Sequence, residues 1–250
     1  MLKQRQRFGP LSVQRPFYPE DSVCHTYLLH PPGGIVSGDR LCVDVTVDEH
    51  AHALLTAPGA TKCYRSSGAR AEIDYNFRLT GNCEWLPHET IFFNGAYVRQ
   101  KTTIELGSEA RFFGWEVNCL GRTASGEKFD RGSIDLVLEV ALQGEPLFIE
   151  RVRVDPMAGL GHSASLCNHT VFATAIAYPF PESHTEEVRL ALYREKHGGY
   201  FSITAMDEIV IARYLGDSSL EAIRWFRSFW SRLRPIVLER PSCPPRIWNT

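Results

Sequence analysis

Alternation with a period of two runs through the first two thirds of the chain. In "AEIDYNFRL", Ala71, Ile73, Tyr75, Phe77 and Leu79 fall on one face, and Glu72, Asp74, Asn76 and Arg78 on the other. That is the pattern of a strand with one buried face. "LCVDVTV" (Leu41 to Val47), "SIDLVLEVAL" and "LFIERVRV" repeat it. Turn signals such as "APGA", "LTGN", "FNGA" and "LQGE" recur between them at intervals of roughly ten residues, as in all-β architectures. No motif of fixed period accompanies the turns, so the pattern names no repeat family.

The last third changes character. "SHTE" (Ser183 to Glu186) and "SSLE" (Ser218 to Glu221) both fit the capping box that opens a helix. They predict helices near 184–196 and 219–234, the first ending near "HGG" and the second stopped by Pro235. Leu220, Ile223, Phe226, Trp230 and Leu233 would form the apolar stripe of the second. "YFSITAM" and "EIVIARYL" read as strands between them. No linker rich in Gly, Pro or Ser divides the chain. The expectation is one domain over 1–250, mainly β, strand-rich over 1–180, with two α-helices in the C-terminal third.

Composition adds exclusions. A chain of 250 residues with 44% hydrophobic positions can bury a sizeable core. A formal charge of −2 argues against nucleic acid and anionic membrane surfaces as partners. "MLKQRQRF" is basic, but no apolar segment follows it as in a signal peptide, and no apolar run approaches the ~18 residues of a membrane span. The seven cysteines are odd in number and widely spaced, without C-x-x-C. They read as packed, reduced thiols in a cytoplasmic protein.

Candidate chemistry is sparse. "HPPGGIVSGDRL" (His30 to Leu41) has the Gly33–Gly38 spacing of a phosphate loop, but Asp39 and Arg40 stand where lysine and a hydroxyl are needed, and a strand follows. It reads as a glycine-rich turn. His50 and His52 are candidate metal ligands in an extended segment; with His88 they allow a cupin-like β-fold metalloenzyme as an alternative function. No closed zinc motif occurs. Cys63 lies near Lys62 and Arg65, which favours a thiolate, yet no base is assignable beside it. The second helix has more large apolar side chains than one stripe needs. Trp225, Phe229 and Trp230 are therefore candidate partner contacts, with poor solubility expected of the chain alone. Arg224, Arg227, Arg232 and Arg234 read as a solvated helix face. Of the acidic residues in strands (Asp39, Asp44, Glu84, Glu116, Asp135, Glu139 and Glu150), Glu116 is the most unusual, set among Phe112, Phe113, Trp115 and Val117. Pointing inward, it would need a partner, a cation or water.

Longer blocks carry a resemblance. "GPLSVQRPFYPEDSVCHTYLLHPPGGIVSGDRL", "ALLTAPGATKCYRSSG", "EWLPHETIFFNGA", "GWEVNCLGR" and the terminal "PRIW" occur in that order. Together they resemble the urease accessory protein family UreD, called UreH in some bacteria, over nearly the whole chain. The resemblance implies a β-helix-like stack of many strands with two helices. It implies a non-enzymatic chaperone for nickel insertion that binds apo-urease and UreF, and through UreF recruits the GTPase UreG. Nickel is implied to be transient cargo in an internal tunnel, with no tightly bound cofactor. The positions matching the tunnel lining are Asp39, Thr61, Glu116 and Glu150. Glu116 stands where aspartate is common in relatives, and Thr61 where serine occurs; both keep the chemistry. Relatives are also expected to carry strand-rich residues ahead of "FGPLSVQRPFYPE", whose absence would leave a sheet edge unpaired.

Overall fold

The alternating segments do form strands. In this computed structural model residues 1–158, 166–193 and 198–249 are described. The first strands are β1 (Ser12–Val13), β2 (Val23–Leu29), β3 (Arg40–Val47), β4 (His52–Thr56) and β5 (Thr61–Cys63). There follow β6 (Ala71–Leu79), β7 (Asn82–Leu86), β8 (Thr90–Phe92), β9 (Tyr97–Leu106) and β10 (Phe112–Leu120). The rest are β11 (Ser133–Leu142), β12 (Glu145–Val154), β13 (Val171–Tyr178), β14 (Tyr200–Met206) and β15 (Ile209–Gly216). The helices are α1 (Thr185–Tyr193) and α2 (Ser219–Val237).

The chain winds so that each turn lays its strands parallel to those of the turn before. β2, β4, β7 and β10 pair in parallel on one side. β3, β6, β9 and β11 do so on the other, and β5, β8 and the end of β10 close a third. The result is a solenoid-like stack of about three turns. Parallel stacking asks only that apolar side chains point inward at matching heights. No repeated motif is needed, which is why none is visible. Antiparallel strands then extend one wall in the order β10-β13-β15-β14, and β12 closes the other against β11. Between the stretches sits the glycine-rich turn at His30–Asp39. Gly33 and Gly38 both adopt φ of 83°, and at Gly34 a Cβ would stand 2.3 Å from the Tyr64 ring. These glycines serve a turn and a close approach, not a phosphate.

The two helices depart from expectation at their ends. Ser218 caps α2, its Oγ accepting from Glu221 N–H at 3.3 Å. Ser183 caps nothing: Pro181 starts a tight turn whose carbonyl accepts from His184 N–H at 3.0 Å, and α1 begins only at Thr185. Residues 194–197, the expected end of that helix, lie outside the described residues. Pro235 does not stop α2, which runs to Val237. Pro235 and Ser231 lie on the exposed face, where water reaches the Ser231 carbonyl that proline cannot serve.

α2 lies across the outer face of β10 and β13 and is buried on most of its circumference. Trp225 is 1% exposed, and Phe229 and Trp230 are fully buried, in one apolar cluster with Phe113, Trp115, Val171 and Ala175. They are core and present no surface to a partner, so neither the interface role nor the poor solubility inferred from them follows. The residue that decides the helix's place is Arg234, also fully buried. Its Nη2 donates to Glu84 Oε1 on β7 at 3.0 Å, and its Nη1 to Glu20 Oε2 at 2.6 Å and to the Pro241 carbonyl. Trp230 Nε1 donates to Glu84 Oε2 at 2.6 Å, and His52 Nε2 to Glu84 Oε1 at 2.7 Å. His25 Nε2 meets Glu20 Oε1 at 2.7 Å. Of the four arginines read as a solvated face, Arg224 and Arg232 are exposed, but Arg227 stacks over the Trp248 ring at 4.5 Å.

Replacing Arg234 with methionine leaves Glu84 and Glu20 buried without their cation. The expected loss is about 3–5 kcal/mol, read as a lower urea midpoint at unchanged slope. The network also sets an acid limit. Burial works to raise the Glu84 carboxyl, but the His52 hydrogen bond and the Arg234 charge hold it below its ordinary 4.5. Burial holds His25 below its ordinary 6.5. Both shifts are downward, so the stability they contribute is present above the unfolded values and is lost as pH falls through the folded ones. The melting temperature is expected to drop on acidification below about pH 4.5, where the Glu84 contribution is lost, and a flat profile there would contradict the network.

Candidate functional site

Inward positions along the strands are apolar at both ends and polar in the middle. On β6, Phe77 and Leu79 join one apolar cluster, Ala71 and Ile73 another, and Tyr75 lies between and touches both. β9 runs Leu106, Ile104, then Thr102 and Gln100, then Val98. β10 runs Phe112, then Glu116 and Asn118, then Leu120. β12 places Glu150 between Phe148 and Val154, and β13 places Thr174 between Ile176 and Phe172. Thr102 is in register with Tyr75, and through Leu138 with Glu150, while Glu116 is in register with Thr174; Gln100 and Asn118 lie one inward step further along their strands, so the interruptions form a polar layer across the core.

Two cavities meet in that layer. The larger, of about 290 Å³, extends from His30, Gly33 and Gly34 past Thr61, Lys62 and His88 to Gln100 and Glu116. The smaller, of about 10 Å³, is bounded by Glu116, Asn118, Glu150 and Thr174 and has room for about one water. Glu116 lines both. Thr102 Oγ1 donates to Glu116 Oε1, and the Gln100 side chain also hydrogen-bonds it. Thr174 Oγ1 donates to Glu150 Oε2 at 2.7 Å, and Arg213 Nε to Glu150 Oε1 at 3.0 Å. Arg213 reaches the surface, its side chain 43% exposed. The sequence of polar groups therefore leads from a surface turn, through the core, to the opposite wall.

Burial pushes the Glu116 carboxyl up to about 7. The hydrogen bonds from Thr102 and Gln100 oppose the rise and the Glu150 charge adds to it. Burial and the Glu116 charge also raise the Tyr75 hydroxyl, against a hydrogen bond with Thr61. Near neutral pH Glu116 can therefore hold a proton inside the core.

The model of the UreD urease accessory protein family matches residues 1–249. The urease accessory protein UreD of Alcanivorax borkumensis is 40% identical over 252 residues, covering 100% of this chain and 86% of its own. Those of Enterobacter sp. strain 638 and Dechloromonas aromatica are each 42% identical, covering 100% of this chain and 90% and 89% of theirs. The chain belongs to the UreD family. Membership supports a role in urease maturation, and a family named for accessory proteins implies a non-catalytic part in it.

Of the four residues matched to the UreD tunnel, the fold brings three together: Thr61, Glu116 and Glu150. Asp39 lines neither cavity. Its Oδ2 accepts from Val36 N–H at 2.9 Å and holds the turn, and its charge reaches His30 on the cavity wall. The histidines do not assemble. His50 is exposed with φ of 60°, His52 is buried and engaged by Glu84, and His88 Nδ1 stands 3.6 Å from Glu89 Oε2. Among the described residues no group of three or more His, Cys, Asp or Glu is arranged to hold a metal ion. The parallel stack is also unlike the antiparallel jelly roll of a cupin, so the metalloenzyme alternative has neither its ligands nor its fold. Cys63 is fully buried and its thiol is pushed up to about 12 by that burial, which removes the thiolate. Gln100, Thr102, Asn118 and Thr174 were not singled out in the sequence. The available signal was a polar residue at an inward position of an otherwise apolar alternation.

Glu116 gives a pH signature of opposite sign to the acid limit. Its folded value lies above its ordinary 4.5, so its contribution is full below that value and is lost as pH rises through about 7. Relative to wild type, Glu116→Gln is expected to be equally stable near pH 4 and more stable at pH 8.5, by on the order of 1–3 kcal/mol. Denaturant titration at the two pH values reads the difference.

Proposed function

We propose that this protein is a non-enzymatic scaffold of urease maturation, that it binds apo-urease and UreF, and that UreF brings the GTPase UreG. Nickel is its cargo and passes through the core along the polar layer towards the urease active site. The observation that carries this reading is the pair of cavities meeting at Glu116, which join polar groups from one wall of the fold to the other. Nickel accepts oxygen ligands. A conduit must bind it weakly and at several sites, so that it leaves again. Separated carboxylates, hydroxyls and amides meet that condition better than a closed histidine cage. The cytoplasm is the proposed compartment: Cys24, Cys42, Cys63, Cys83, Cys119 and Cys243 are free thiols, as suits a reducing environment. No helix among the described residues is long and apolar enough to cross a membrane.

The test is Glu116→Gln with Glu150→Gln, expressed with the urease operon. Apo-urease and UreF are expected to co-purify with the variant as with wild type, while urease activation falls, most in the double variant. Full activation by the double variant would exclude the layer as the nickel path. Failure of wild type to capture UreF or urease would exclude the scaffold.

A further inference from the structure

Gln100 and Asn118 each bury an oxygen that makes no hydrogen bond. Gln100 is 3% exposed and Asn118 4%, yet Gln100 Oε1 and Asn118 Oδ1 have no partner. An unsatisfied buried acceptor costs about 1–3 kcal/mol, and folded proteins leave few of them. His52 Nδ1, Thr185 Oγ1 and Arg227 Nε are unpartnered elsewhere in the molecule, but these two oxygens belong to one layer. Gln100 lines the larger cavity and Asn118 the smaller. Glu116 stands where the two cavities meet. β9 carries Gln100 two residues from Thr102, and β10 carries Asn118 two residues from Glu116, so period-two alternation turns each pair to the same inner face.

The orientation of the Gln100 amide follows from its neighbour. An ionised carboxylate only accepts hydrogen bonds, so the amide N–H₂ faces Glu116 and the carbonyl is left over. A neutral amide oxygen is a hard ligand for a divalent cation. It replaces a water of hydration without adding charge. Beside one carboxylate it gives coordination while keeping the ion loosely held, as transfer requires.

We infer that Gln100 Oε1 and Asn118 Oδ1 are ligands for a partly hydrated divalent cation, one on each side of Glu116, and hand it from the larger cavity to the smaller. This rests on the conduit reading and extends it to two residues and an order: Gln100, Glu116, Asn118, Glu150. Glu116 supplies the charge and the amides supply the shell.

The experiment uses the full chain, free of any affinity tag, with Ni²⁺ as the probe. Crystals are soaked in Ni²⁺ and anomalous scattering is recorded at the nickel edge. Calorimetric titration is run in parallel on wild type, Gln100→Met, Asn118→Leu and Asn118→Asp. In wild type an anomalous peak is expected within ligand distance of Glu116 and Gln100 or Asn118. The two apolar variants should lose the peak and bind about tenfold more weakly, with Asn118→Leu melting no lower than wild type because no hydrogen bond of its oxygen is lost. Asn118→Asp, which keeps the oxygen and adds charge, should bind more tightly. Equal occupancy in wild type and all three variants would overturn the inference; if Glu116→Gln then abolished the peak, the conduit reading would stand without it. A wild-type layer that takes up no nickel would overturn both. A marked fall in stability of Asn118→Leu with unchanged nickel binding would assign its oxygen to a structural water instead.

Discussion

The pairing of Arg234 with Glu84 and Glu20 is the contact on which the rest of the structure depends. It fastens three parts of the chain to one another: the last turn of α2, strand β7 in the stack, and the segment ahead of β2. A fully buried guanidinium is tolerable only when its donors are used, and here they reach two carboxylates and the Pro241 carbonyl. With the helix end fixed, its aromatic face has one seat, against β10 and β13. That seat covers the outer side of the strand whose inner side carries Glu116. The ion network and the polar layer are thus two faces of one wall.

The layer itself runs against the economy of a protein core. Tyr75, Gln100, Thr102, Glu116, Asn118, Glu150 and Thr174 occupy inward positions that apolar side chains would fill at lower cost. The apolar clusters on either side absorb that cost. Phe77, Phe112 and Ile176 close the layer at one end, and Ile73, Val98 and Leu120 at the other. The layer can therefore stay polar while the stack on either side of it is held by apolar packing. Its two ends differ. The Thr61 end opens beside a glycine turn with Lys62 and His88 on its wall, and the Glu150 end is held by Arg213.

Much of this was legible in the chain, and the exceptions share a cause. Alternation located the strands because a two-residue period reports which side is buried, and it was right for "AEIDYNFRL" down to the inward Tyr75. The capping box at Ser218 was right because its chemistry is local. The one at Ser183 failed because Pro181 imposed a tight turn two residues earlier. Pro235 failed as a stop because a missing N–H in the last exposed turn costs little. Residue blocks shared with the UreD family pointed to Thr61, Glu116 and Glu150 together, whereas Asp39, matched equally well, belongs to the turn.

The sequence by itself determined the elements: which segments are strands, which face of each is apolar, where the helices lie, and to which family the chain belongs. These follow from periodicity, caps and extended blocks of identity, all of which are properties of neighbours along the chain. Only the tertiary structure decided which buried polar groups meet. Arg234 looked like a solvated arginine and Trp230 like an interface residue until Glu84, 146 and more residues away, took both. Gln100 and Asn118 were single polar interruptions in separate strands until the fold set each beside a cavity lined by Glu116. Register and stacking are long-range choices, and a side chain's partner across a core has no signature in its own stretch of sequence.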